Sequence, residues 1–317
     1  MLRPNAVAIP FRLRPEEPED DGHHGRIKAR EDLPTEPIAN LSQEAREYLK
    51  ALGFADPDHD LDAASLIWFH SQAIGYSALY LRENTCGVRY NWPRIPMPVS
   101  KEELVNSALL GKNITELLNT EACVKGVTES ALRSEMKVIA CFTVVAGEKL
   151  DPAKHLKIEV GWGHEGKDNV VMGGKGKLVE RDYTHEERES IREGAVALRL
   201  SLEEALIQLG EKTADVYLND QAYWKNVPLK VWGFAIGGYQ VMKKWLSYRE
   251  AKLLGRRITT DEAYYFRDMV RRIAALCLLQ PLLDANYIAI KTNTFIWPAL
   301  IVSNDHYARF QTVSAED

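Results

Sequence analysis

An α+β architecture, with a β-rich central part between helical lobes, is what the order of sequence patterns predicts. Three observations carry it. Apolar residues recur at helical spacing through residues 41–118. From Met136 a zone of short runs rich in β-branched and aromatic residues follows. Helical spacing then returns after Glu186 and is clearest over residues 261–279. The expected organisation is a partly flexible lead-in at 1–36, a mainly helical lobe at 37–135, a β-rich lobe with a Gly/Lys loop at 136–225, and a mainly helical lobe at 226–317.

In chain order, VAIPFRL at 7–13 reads as a short strand that Pro10 confines to an edge. Residues 15–37, rich in Pro, acids and His, read as a loop or disordered lead-in. The His23–His24 pair reads as solvated, since no further ligands stand at metal spacing. Ser42 is the expected cap of a helix whose stripe is Ala45, Tyr48, Leu49 and Leu52, with Gly53 as its stop. Asp62 is the expected cap of the next helix, a continuous apolar run through SLIWFHSQAIGYSALYL. Its His70 reads as a hydrogen-bonded core or interface histidine rather than a catalytic one. NWPRIPMP at 91–98 is extended because its prolines forbid a helix. Residues 102–118 form a helix on Leu104, Ala108, Ile114 and Leu118.

KVIACFTVVAG and HLKIEVGWG read as strands, with NVVM and KLVERDYT as shorter ones. A charged helix at 187–200 and one capped by Ser201 follow. In the last long helix Phe266, Met269, Ile273, Leu276 and Cys277 face inward, and Arg267, Arg271 and Arg272 face out or sideways.

Bulk properties are ordinary for a soluble globular protein: 317 residues, 45 % hydrophobic, 27 % charged, formal net charge −5. A nucleic-acid surface would therefore have to come from local basic patches. The four cysteines are widely spaced and lack a C-x-x-C pair, which argues against a cysteine zinc knuckle; Cys141 and Cys277 read as reduced core residues. No signal peptide and no apolar run of membrane length is read, so the expected location is the cytoplasm, without a membrane partner.

The glycine-rich stretch GWGHEGKDNVVMGGKGKLVERDY is not a Walker loop, because Leu178 follows Lys177 where Ser or Thr is needed and a strand follows instead of a helix. It reads equally as an ordinary solvated hairpin or as a hairpin tip whose backbone approaches a phosphate chain. Nuclease carboxylate spacing, a G-x-S-x-G elbow and the Asn/Asp-Pro-Pro-aromatic loop of adenine methyltransferases are all missing. The expectation is a non-catalytic chain with no cofactor and no metal.

The densest pattern lies in DVYLNDQAYWKNVPLKVWGFAIGGYQVMKKWLSYREAKLLGR, residues 215–257, with three Trp, a Gly pair and a Lys pair. It reads as a turn-rich segment, punctuated at Asn219–Asp220 and Pro228, that feeds a helix from Gly237–Gly238. Tyr239, Met242, Trp245, Leu246 and Arg249 share one face of that helix, and Lys243, Lys244 and Lys252 lie away from it. Tyr223, Trp224 and Trp232 read more readily as core than as base-stacking residues.

IGGYQVMKKWLSYRE followed by DEAYYFRDMVRRIAALCLLQPLLDANY resembles the C-terminal specificity region of type ISP restriction-modification enzymes. ANLSQEAREYLKALG, the run into NWPRIPMP, the glycine-rich middle and LDANYIAI…WPA are similar to that region in the same order, so the resemblance covers residues 41–299 and faintly VAIPFRL. It implies a target-recognition-domain-like fold that reads a short asymmetric sequence in duplex DNA. It also implies partners: the methyltransferase, translocase and nuclease parts of the same enzyme, or a separate catalytic subunit. Those parts have no signature in this sequence, which fits a fragment, a separate polypeptide or a remnant. On this reading Lys175, Lys177, Lys243 and Lys244 are the candidate phosphate contacts, Lys167 and Asn169 the candidate base readers, and Arg181 and Arg249 complete the DNA-binding set. The alternative is an interaction module that docks on a methyltransferase or translocase through Trp232, Trp245 and the apolar run 66–81, with little DNA contact.

Overall fold

Local capping sets most helix starts. In the computed structural model, which describes residues 11–13, 36–90, 93–129, 131–162, 176–236 and 238–297, β1 (Arg12–Leu13) pairs with β2 (Ile38–Ala39). Residues 7–10 of the expected first strand lie outside the described residues, as does the lead-in at 15–35. Helix α1 (Gln43–Ala51) starts at Ser42, whose hydroxyl accepts from Ala45 N, and buries Tyr48 and Leu49 as its stripe predicts.

The next helix, α2 (Leu61–Gly75), is capped by Asp60 rather than Asp62, because the Asp60 carboxylate accepts from the main chain of Asp62 and Ala63. The apolar run is also not one helix. Tyr76 ends α2, and Ser77 caps α3 (Ala78–Glu83) by accepting from Tyr80 N. The short α4 (Thr85–Tyr90) follows. Residues 93–97 are neither helix nor strand, and their prolines keep them out of a helix. Helix α5 (Lys101–Leu118), capped by Ser100, crosses α2 closely at Gly111, where a Cβ would stand 1.7 Å from Phe69 O. Leu117, not Leu118, is the buried residue of its last turn.

The central region departs most from expectation. Within KVIACFTVVAG, α6 (Ser134–Val138) takes the first residues, Ala140 adopts φ 54°, and β3 is limited to Cys141–Val144. HLKIEVGWG is not a strand. Pro152 and the cap Asp151 start a short helix, α7 (Pro152–His155), and the chain beyond meets the β5–β6 turn, where Glu159 N and Val160 N donate to Leu218 O. NVVM lies outside the described residues. KLVERDYT holds β4 (Leu178–Arg181).

Capping boxes at Thr184–Glu187 and Ser201–Glu204 then start α8 (His185–Ala197) and α9 (Leu202–Leu209). The segment expected to be turn-rich is instead the centre of the sheet. Strands β5 (Thr213–Tyr217) and β6 (Ala222–Pro228) form an antiparallel hairpin, and the four-stranded order is β3-β6-β5-β4. Asn219 shapes the turn: its amide donates to Lys157 O and its carbonyl accepts from Gln221 N and Ala222 N. The chain continues through α10 (Leu229–Trp232), the small hairpin β7 (Ala235–Ile236) and β8 (Tyr239–Gln240), α11 (Val241–Ser247) and α12 (Ala251–Leu254). Tyr239 is therefore a strand residue ahead of the helix, not part of its face.

The final helix, α13 (Thr260–Thr292), runs through the principal core and packs against α5, α3, α9, α10 and the sheet. By length and composition this helix could cross a membrane, contrary to the sequence expectation; half of its apolar window is buried within the protein, as in a core helix. Arg271 and Arg272 are buried rather than outward, at 5 % and 6 % exposure. Arg272 reaches the end of α5, where it donates to Glu116 O, Leu117 O, Asn119 O and Ala122 O. Cys141 and Cys277 are half-buried and all four cysteines are free thiols.

Candidate nucleic-acid interface

The base of the Gly/Lys loop is the most constrained feature near the predicted cations. Gly176 N donates to Gly161 O at 2.5 Å, which joins the two stems of the loop. Gly176 sits at φ 64°, and a Cβ there would come within 2.2 Å of the Trp162 ring. That ring is buried and packs on Trp232 with centroids 5.1 Å apart. Trp162 N donates to Glu250 Oε1 and Ala251 N to Ile158 O, so the loop base is fastened to the chain just after Arg249.

Of the predicted site residues, Lys167, Asn169 and Lys175 lie outside the described residues. Lys177 leaves the loop base at the start of β4. Its ammonium is 3.2 Å from Asp220 Oδ1 and 4.3 Å from the centroid of the Tyr217 ring, and 43 % of its side chain is exposed. Lys244 lies 3.9 Å over the Tyr239 ring, and the adjacent Lys243 is half-buried. The Arg249 guanidinium stacks 4.1 Å over Trp245 and stands 3.6 Å from Glu262. Lys177 follows Gly176 at the loop base, and Arg249 immediately precedes Glu250, which accepts from Trp162 N. Beneath the sheet, Trp224 stacks on Phe266, and Phe266 meets Trp245 of α11.

Arg181 is engaged differently. Its guanidinium forms a bidentate pair with Glu187, at 2.8 Å for both bonds, and reaches Asp215 at 3.1–3.2 Å. These hydrogen bonds, those donated to Glu187 first, hold Arg181 above its ordinary value. Burial acts to raise the Glu187 carboxyl, yet the bonds from Arg181 hold it below the usual range. Asp215 stands at a bulge in β5 and also accepts from Asn226 N, so the same carboxylate braces the sheet.

Sequence reasoning missed the stacked pair Tyr217 and Tyr223, with centroids 4.8 Å apart and planes at 20°, on the sheet face that carries Lys177. The signal was present in β6, where Ala222, Trp224 and Asn226 are buried while Tyr223 and Lys225 alternate outward. Trp224, Trp232 and Trp245 are core residues. Among the described residues no group of three His, Cys, Asp or Glu side chains could hold a metal ion.

A four-stranded antiparallel sheet set among helices, with Gly161 and Gly176 bonded to each other beside its edge strand β4, is the frame that carries Lys177. The family model for the type ISP C-terminal specificity domain matches residues 72–275, and the chain belongs to that family. The match is narrower than the 41–299 span of the resemblance read from the sequence. No curated protein and no solved structure matches the chain. Family membership makes it a specificity domain with a target-recognition role in a restriction enzyme.

Proposed function

We propose that this domain reads a short asymmetric sequence in duplex DNA and presents that target to the methyltransferase, translocase and nuclease parts of its enzyme. The family match over residues 72–275 carries the reading. The loop base supports it: glycines that let a backbone approach phosphates, with Lys177 next in the chain and Arg249 next to the Glu250 that fastens it, suit contacts that fix register on a duplex. Lys243 and Lys244 supply further phosphate contacts, and Lys167, Asn169 and Lys175 act from the loop itself. Arg181 contributes by holding β4, β5 and α8 together, not by touching DNA. The interaction-module alternative rests on Trp232, Trp245 and the apolar run 66–81; burial of both tryptophans counts against it, while residues 66–69 are half-buried and Leu81 is exposed.

Selection of bound duplexes from a random pool, at low and at near-physiological salt, tests the proposal. One asymmetric motif enriched at both salts is the expected result. Binding without enrichment that disappears as salt rises leaves a phosphate-tracking surface only, and overturns sequence reading.

A further inference from the structure

A cleft of about 380 Å³ opens between the edge strand β3 and the first half of α13. Cys141, Phe142, Glu148, Tyr264, Arg267 and Arg271 are among its walls. Arg271 is the unusual member. Its side chain is 6 % exposed, yet its nearest carboxylate, Asp268, stands 4.0 Å away and is bonded at 2.9 Å to Arg267. Its Nε donates to Ile139 O. One carboxylate is thus shared between two guanidiniums. Burial, and then repulsion by Arg267, hold the Arg271 guanidinium below its ordinary value.

Arg267 lies at the mouth, stacked 4.6 Å from the Tyr264 ring centroid. From the sheet, Lys225 of β6 pairs in register with Cys141, and its charge is met by Glu187 at 3.9 Å. Glu148, the acid on the wall, is exposed, so water screens it. A buried guanidinium that shares its carboxylate with a second guanidinium, inside an open cleft with that second cation on its wall, suits an added anion.

We propose that this cleft binds a phosphate-class oxyanion, held in a fork between Arg267 and Arg271. The oxyanion is either a backbone phosphate of bound duplex, which rests on the proposed function, or a free phosphate group. Guanidinium geometry suits two-point contact with such an oxyanion.

Cys141 reports on occupancy. Its half-buried thiol donates to Lys137 O beside Arg271, while Cys86 and Cys123 are exposed and serve as internal controls. The experiment is alkylation of the full chain by iodoacetamide, with each cysteine quantified by peptide mass spectrometry. Inorganic phosphate is compared with chloride at matched ionic strength, and duplex DNA is added in a separate arm. Phosphate should slow Cys141 alkylation severalfold, leave Cys86 and Cys123 unchanged, and lose its effect in Arg267→Gln. That variant replaces a partly exposed side chain, and its fold is checked by melting. Protection by duplex as well identifies the backbone as the source. Protection by phosphate alone, while duplex binding measured in parallel persists, identifies a free phosphate ligand. If the duplex does not bind at all, the DNA reading fails and the phosphate arm still decides the cleft. Equal alkylation with and without phosphate, or protection that survives in Arg267→Gln, overturns the site.

Discussion

Arg272 illustrates how one side chain can end a distant helix. The last carbonyls of a helix have no partner within it, and at the end of α5 the Arg272 guanidinium satisfies them from α13. Arg272→Met keeps much of the volume but strands several buried acceptors, and should lower unfolding free energy by about 3 kcal/mol in urea titration. His70 works in a second chain of contacts. Pro96 O can only accept, so His70 Nε2 carries the proton, and Nδ1 accepts from Ser107 Oγ at 2.7 Å, which itself accepts from Asn286. Burial pulls the imidazole down from 6.5 to about 4. The unfolded chain therefore binds the extra proton between those values. The stability from neutral His70 is complete above pH 6.5 and is lost as pH falls towards 4, by up to about 3 kcal/mol. Urea unfolding at pH 7 and pH 4.5 should show a smaller acid-induced loss in His70→Gln than in the parent chain; equal losses would exclude this histidine as the source.

At the scale of elements, the helices that sequence reasoning placed best are those whose start signals are local. Ser42, Ser100, Thr184 and Ser201 each cap through their own hydroxyl, within three residues of the amide they satisfy. The sheet was harder to read because its geometry depends on partners remote in sequence. In β5 the alternation is interrupted by the bulge between Ala214 and Val216, and the Asn219 turn looked like loop punctuation rather than a hairpin. HLKIEVGWG had the composition of a strand, but its described residues form none, and Glu159 N and Val160 N donate to Leu218 O in the turn between β5 and β6. The loop base gives a test at this scale. Gly176→Ala forces a Cβ into the Trp162 ring at a left-handed position. It should destabilise the protein by more than about 1 kcal/mol, shift tryptophan emission to the red and weaken duplex binding. An unchanged spectrum and affinity would mean the stems can part without consequence.

For the whole molecule, the candidate interface was legible as residue types and not as geometry. The basic pairs and the glycine-rich stretch stood out in the sequence. How firmly a cation is held by carboxylates did not: Arg181 is bound by the buried Glu187 and by Asp215, whereas Lys177 pairs with the exposed Asp220 and keeps a large exposed fraction itself. The two classes should separate in solution. Lys177→Gln, or Lys243→Gln with Lys244→Gln, should weaken duplex binding and reduce the salt slope by about 0.9 per lost phosphate contact. Arg181→Gln should lower the melting temperature with little change in slope among the molecules that remain folded. Slopes unaltered in all the lysine variants would remove them from the interface.

The bond from Arg272 to Leu117 O spans 155 residues. During synthesis, at ~5–20 residues per second, the end of α5 would wait roughly 8–30 seconds for α13 to be made. Through that interval the nascent chain carries an uncovered apolar helix pair, and its lifetime is set by the ribosome rather than by its own folding rate. Slower translation between α5 and α13 should therefore cost soluble yield even though the finished protein is identical.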